Sequence, residues 1–224
     1  MPTSEPDKRL RAELAAELGW HSTDLDDDSI ARYRADAARK KTDRDPAMKW
    51  AHRRRLDACV HTHDDFAWTS PEELEVLAQQ DVPWRYYLDT AVYLESADRR
   101  GTVTPVSGAG GDRPPLGPCH VIAAVQPDSE PDSEENLARL EVLDRELQAA
   151  AIASIRATGT SIEGNHREEG RAVFGLDDAA ACILGRRFGQ VAVFSWQGPK
   201  WSLLACSGER HTHRAWQWEP GAAT

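Results

Sequence analysis

The sequence has few cysteines and no long apolar run, and both scarcities exclude classes of protein. Its four cysteines are widely separated, and no pair has the spacing of a zinc knuckle or a redox motif. No stretch approaches the roughly 18 apolar residues of a membrane-spanning helix, and the first ten residues lack the apolar core of a secretion signal. We therefore expect reduced thiols, no membrane contact and a cytoplasmic location.

Common signatures of catalytic and cofactor sites are also missing. The chain has no Ser-His-Asp order, no glycine-rich phosphate loop and no spacing typical of paired metal ions. Two loose groups offer metal ligands, namely Cys59, His61, His63 and Asp64, and the pair His211 and His213. A helix end followed by a polar loop explains the first group equally well, and a disordered tail explains the second. We expect no metal and no cofactor.

Charge is unevenly distributed along the chain, whose formal net charge is -10. Residues 30–56 hold ten Lys and Arg against three Asp, which gives a net charge of +7. A helical face of this kind can contact a protein or lie along a phosphate backbone, but it can also dock on the acidic remainder of the chain. The candidate partner-binding residues are Lys40, Lys41, Trp50, Arg53, Arg54 and Arg55.

Apolar spacing and capping residues predict a helical N-terminal region over residues 1–83. The clearest helix start is Ser70-Pro71-Glu72-Glu73, which combines an N-cap, a proline in the first turn and a Glu at the third position. Aromatic and branched residues then favour a strand over 84–94. Five Gly and four Pro between residues 96 and 118 predict a flexible loop.

The C-terminal half alternates short apolar runs with amphipathic stretches. Helices are predicted after Ser133 and after Asp177 or Asp178, and strands over 119–125, 155–162, 171–174, 191–196 and 201–206. This order predicts an α+β domain over 84–206, a ferredoxin-like split βαβ sheet with two helices on one face. Residues 207–224 form a tail whose alternating Trp216 and Trp218 either pack as a last strand or remain free.

Five segments of the chain share a pattern with a known family, namely 87–93, 121–127, 135–136, 166–173 and 187–194. Together, over roughly residues 86–206, they resemble a bacterial family known as domain of unknown function 3293. Gln126 stands where the family has an Asn before proline, and Gln is the longer side chain and the poorer turn residue. The resemblance implies a domain boundary, and it implies no activity because the family has none assigned.

One polar cluster is a candidate functional site. Turn and strand-end residues can converge at one edge of such a sheet, and a His beside carboxylates is suited to proton transfer. The candidates are His166 and Glu168 as acid and base, with Gln126, Asn165, Glu169 and Gln190 nearby. A solvated turn, with a Gln that satisfies backbone groups, explains the same residues. We therefore expect a non-catalytic binding or regulatory module that contacts protein or nucleic acid, and a small enzyme using His166 and Glu168 is the alternative.

Overall fold

The protein is built on a closed ring of strands. The computed structural model describes residues 60–127, 129–161 and 166–221, and these contain eight strands and four α-helices. The strands are β1 (Thr90–Glu95), β2 (Arg100–Val106), β3 (Cys119–Ala123), β4 (Ser154–Ser161), β5 (Arg167–Phe174), β6 (Ala192–Gln197), β7 (Lys200–Ala205) and β8 (His211–Pro220). The helices are α1 (Pro71–Ala78), α2 (Asp81–Leu88), α3 (Glu134–Ala149) and α4 (Asp178–Arg187), preceded by a 3-10 turn at His63–Asp65.

The expected ferredoxin-like split βαβ sheet is wrong. The strands close into a barrel in the order β1-β2-β8-β7-β6-β3-β5-β4, and β4 pairs back with β1. Every neighbouring pair is antiparallel. The prediction failed because it left out β2 and β8. These two strands pair with each other and join β1 to β7. Without these two strands the same sheet would have two open edges.

Both closing strands lie where the sequence predicted little structure. β2 occupies part of the expected loop over 96–118, and β8 occupies most of the expected tail over 207–224. Gly101 is needed in β2 because a Cβ there would lie 2.5 Å from the ring of Trp218. Gly101, one of the residues that made β2 look irregular, is therefore a place where the barrel wall meets a bulky side chain.

Tryptophans fill one part of the barrel interior. Trp196 packs edge-to-face on Trp201 and Trp216, with ring centroids 5.9 and 4.9 Å away, and all three are buried. The loop after β2 lies flat on this cluster: the Gly111 N–H donates to the Trp216 carbonyl, and a Cβ at Gly111 would lie 2.2 Å from the Trp216 ring. The glycines of this loop therefore permit close packing.

Helices cover the barrel on its outside and at one end. α3 and α4 share a buried cluster with outward-facing Ile122, Val173 and Val193 of β3, β5 and β6. α1 and α2 pack on Leu203 and Ala205 of β7. Within the described ranges no helix combines the length and apolarity needed to cross a membrane.

The predicted helix starts are confirmed at three places. The side chains of Ser70, Ser133 and Asp177 each accept a hydrogen bond from a backbone N–H three residues later. The strand expected over 84–94 differs from the structure, in which α2 continues to Leu88 and β1 begins at Thr90. The helices expected before residue 60 lie outside the described residues, and the boundary at residues 83 and 84 stays a prediction.

Candidate functional site: a cavity in the barrel mouth

Small side chains leave part of the barrel interior open. A cavity of about 720 Å³ lies between β1, β3, β4, β5, β6 and β7. Four of its wall positions are Ala123, Gly159, Gly170 and Ala192. A Cβ at Gly170 would lie 2.6 Å from the Ile122 carbonyl oxygen, so glycine is required there for close backbone contact. The open volume is of the size that proteins use for small ligands.

Apolar and aromatic side chains form most of the remaining wall. Val92, Val121 and Leu203 line the barrel side. Phe194 also lines the cavity, and its ring stacks on that of Trp201 with centroids 5.0 Å apart. α2 contributes Pro83, Tyr86 and Tyr87 at the mouth. Tyr86 is 67% exposed although it lines the cavity, which places it at the rim.

His166 and Glu168 lie together at the cavity. His166 Nε2 is 3.7 Å from Glu168 Oε2, an ion-pair distance that is longer than a hydrogen bond. The Glu168 carboxylate raises the pKa of His166, and this effect exceeds the opposing effect of partial burial. Ser161 fixes the start of β5, because its N–H donates to the His166 carbonyl and its Oγ accepts from the His166 N–H.

The structure brings four of the six predicted cluster residues to this cavity. His166, Glu168, Gln126 and Gln190 all line it, and Asn165 lies outside the described residues. Glu169 does not line the cavity and instead forms ion pairs with Arg156 and Arg171. The predicted edge of a sheet is instead the mouth of a barrel. What these residues do there stays a prediction.

Gln126 has a structural role that its length explains. Its Oε1 accepts hydrogen bonds from the Thr69 N–H and hydroxyl, and its Nε2 donates to the Phe188 carbonyl at 3.1 Å. Gln190 Nε2 likewise donates to the Val125 carbonyl at 2.8 Å. These contacts favour the interpretation that both glutamines satisfy backbone groups around the mouth.

The charges on the described cavity wall have mainly one sign. Asp89 and Glu168 are carboxylates, His166 is the one imidazole, and the described lining contains no Lys or Arg. Asp89 also has the Arg214 guanidinium 3.7 Å away, from outside the lining. The described wall therefore carries two carboxylates and no Lys or Arg side chain of its own.

A second polar cluster was missed by the sequence analysis. His120 is 1% exposed, and its Nε2 lies 2.8 Å from Asp178 Oδ1. Ser195 Oγ and Gln197 Nε2 donate to the same carboxylate oxygen, at 2.8 and 2.9 Å. A histidine within the apolar run of β3 was the available signal.

This cluster is not arranged for nucleophilic catalysis. In a catalytic triad the histidine stands between serine and aspartate and accepts the serine proton. Here the Asp178 carboxylate stands between Ser195 and His120, and the serine donates to it. The hydrogen bonds of Asp178 therefore connect the start of α4 to β3 and β6.

One of the predicted metal ligands, His63, is engaged in other contacts. His63 stacks on Trp68 with ring centroids 4.7 Å apart, and its Nε2 lies 2.8 Å from the Arg187 carbonyl oxygen. Across residues 60–127, 129–161 and 166–221, no three His, Cys, Asp or Glu side chains group as a metal site would require. Cys59 and all six candidate partner-binding residues, Lys40, Lys41, Trp50, Arg53, Arg54 and Arg55, lie outside the described residues.

Comparison with known proteins finds similarity to a family over part of the chain. The model of the family described as Protein of unknown function (DUF3293) matches residues 122–193. The resemblance predicted from sequence is therefore confirmed over this segment, which holds Ala123, Gln126, Glu168 and Gln190 of the cavity wall. No curated protein and no solved structure matches the chain.

Proposed function

We propose that this protein is a binding module whose ligand is a small molecule held in the barrel cavity. Eight-stranded barrels either fill their interior with side chains or hold one small ligand. This barrel does both: Trp196, Trp201 and Trp216 fill one part, and the glycine and alanine positions leave the other part open. The division of the interior into filled and open parts is the observation that carries the proposal.

A titration with a neutral apolar dye, N-phenyl-1-naphthylamine, tests this proposal. We expect a saturable rise in dye fluorescence with the wild type. Ala123→Leu places a larger side chain in the cavity and is expected to weaken dye binding about tenfold or more. Ala149→Leu makes the same change at an exposed position of α3 and serves as the matched control.

Two results would contradict the proposal. One is the absence of saturable dye uptake by folded wild-type protein, with folding checked by circular dichroism. The other is equal dye affinity in the wild type and in folded Ala123→Leu, because the dye would then bind elsewhere.

An acid–base enzyme is the second candidate function. It is favoured by the pairing of His166 with Glu168 at a largely apolar cavity, where the carboxylate can orient the imidazole. The test is incubation of the wild type and His166→Ala with a panel of metabolites, followed by mass spectrometry. Turnover by the wild type alone supports the enzyme, and bound but unchanged compounds support the binding module.

Contact with a macromolecule through the basic segment 30–56 is a separate proposal that rests on charge alone. Reversal of Arg53, Arg54 and Arg55 to Glu is expected to abolish salt-sensitive retention on DNA or RNA columns. Absence of such retention in the wild type removes nucleic acid and leaves a protein partner. A cytoplasmic location also remains a proposal.

A further inference from the structure

The charge of the cavity wall indicates which small molecules it accepts. We propose that the ligand of the barrel cavity carries a protonated amine on an apolar body. This inference rests on the proposed function, since it names the chemical class of ligand for the same cavity.

Glu168 is positioned to receive the amine. In the pairing of β4 with β5, Glu168 lies opposite Gly159, and both residues line the cavity. Because Gly159 has no side chain, nothing from that position covers the carboxylate on its cavity side. The Glu168 side chain is only 24% exposed, so its charge is partly removed from water and interacts more strongly with a nearby cation.

Aromatic rings provide a second feature suited to a cation. Tyr86, Tyr87 and Phe194 line the same cavity as Glu168. The faces of such rings attract ammonium groups, and the attraction increases where water is excluded. Val92, Val121 and Leu203 provide contact for an apolar body.

An anionic ligand would meet a less favourable wall. The described lining has no Lys or Arg to pair with a carboxylate or phosphate. Its one imidazole, His166, already has Glu168 at 3.7 Å, and the second carboxylate of the lining, Asp89, has the Arg214 guanidinium 3.7 Å away. A neutral ligand would leave the Glu168 carboxylate partly desolvated and without a new partner.

Three probes of nearly equal shape separate these possibilities: 4-phenylbutylamine, 4-phenylbutan-1-ol and 4-phenylbutyrate. Each is titrated against the dye-loaded protein at about pH 8, where an alkylamine is still protonated. We expect the amine to displace the dye at roughly tenfold lower concentration than the alcohol, and the carboxylate to be the weakest.

Glu168→Gln keeps the shape of the side chain and removes its charge. In this variant the preference for amine over alcohol is expected to disappear, while displacement by the alcohol stays within about twofold of the wild type. Glu141→Gln is the matched control, because Glu141 lies on α3 and is 71% exposed. It is expected to keep the full preference.

The outcomes distinguish failure of the inference from failure of the proposed function. Equal displacement by amine and alcohol, or tighter binding of the carboxylate, overturns the amine and leaves a small-molecule cavity. An amine preference that persists in Glu168→Gln also overturns it. If none of the three probes displaces the dye, and Ala123→Leu binds the dye as the wild type does, the cavity itself is not a binding site.

Discussion

Removal of the Asp178 carboxylate should destabilise the protein strongly, because one oxygen of this residue accepts three hydrogen bonds. His120 and Ser195, two of the donors, are 1% and 3% exposed. In Asp178→Ala both would lose this partner, and His120 Nδ1 already has none among the described residues. A buried polar group left unpaired costs about 1–3 kcal/mol, so we expect a loss of about 2–4 kcal/mol in the free energy of unfolding.

Urea denaturation of a double-mutant cycle measures this effect. His120→Leu removes the donor, so Asp178→Ala should cost at least about 1 kcal/mol less in that background than in the wild type. A cost of less than about 0.5 kcal/mol for Asp178→Ala would mean that the carboxylate is not needed to pair these buried donors. An equal cost in both backgrounds would mean that His120 is not coupled to Asp178.

The same variant has a defined pH dependence. Partial burial acts to raise the pKa of Asp178, but hydrogen bonds from His120 and Ser195 lower it below its ordinary value of 3.8. A carboxyl with a lowered folded-state pKa contributes stability above its unfolded pKa, and this contribution is lost as the pH falls through the folded-state pKa. The difference between the wild type and Asp178→Ala should therefore shrink below about pH 4.

Three further predictions follow from the barrel. Burial raises the pKa of Cys119 to about 12, so a pulse of iodoacetamide at neutral pH should label it only after unfolding, as peptide mass spectrometry will show. Gly111→Ala should lower the urea midpoint by an amount equivalent to about 1–3 kcal/mol, and by less in a Trp216→Leu background. The pKa of His166, followed by NMR, should fall in Glu168→Gln. Because the pKa of His166 is raised in the folded protein, its ion pair with Glu168 stabilises the fold at pH values below the ordinary histidine pKa. This stabilisation is lost as the pH rises through the raised pKa of His166.

Each of these three predictions has a result that contradicts it. Labelling of Cys119 in the folded protein at the rate of an exposed thiol would mean that β3 is not buried. An unchanged urea midpoint in Gly111→Ala would mean that the loop does not lie on Trp216. An unchanged pKa of His166 in Glu168→Gln would mean that the two side chains do not interact in solution.

Local signals in the sequence predicted several elements correctly. Ser70, Ser133 and Asp177 cap helices as expected, because an N-cap depends on residues three positions apart. The strands predicted over 191–196 and 201–206 also form, and Gly198 and Pro199 connect them as β6 and β7. These features need no information from distant parts of the chain.

Closure of the barrel was not predictable in the same way. It depends on pairs such as Val103 with Trp218, which lie far apart in sequence, and on β2, whose Gly101 and Pro105 are poor strand residues. The cavity was hidden for the same reason. Gly159 and Ala192 come from different strands, and only the closed sheet brings them around one space.

The candidate site was partly predictable because its polar residues lie at strand ends. His166 and Glu168 are two residues apart, so a strand places both on the same side. The sequence did not reveal that Gln126 connects Thr69 to Phe188, since those contacts span long separations along the chain. The hydrogen bonds to Thr69 and Phe188 use both the oxygen and the nitrogen of the side-chain amide.

A crystal structure of the protein with bound 4-phenylbutylamine would show whether the barrel holds an amine. We expect the phenyl ring inside the barrel near Phe194, with the ammonium group within hydrogen-bond distance of Glu168. Ligand density on the outer surface with the barrel cavity empty, or a sheet that does not close through β2 and β8, would contradict it.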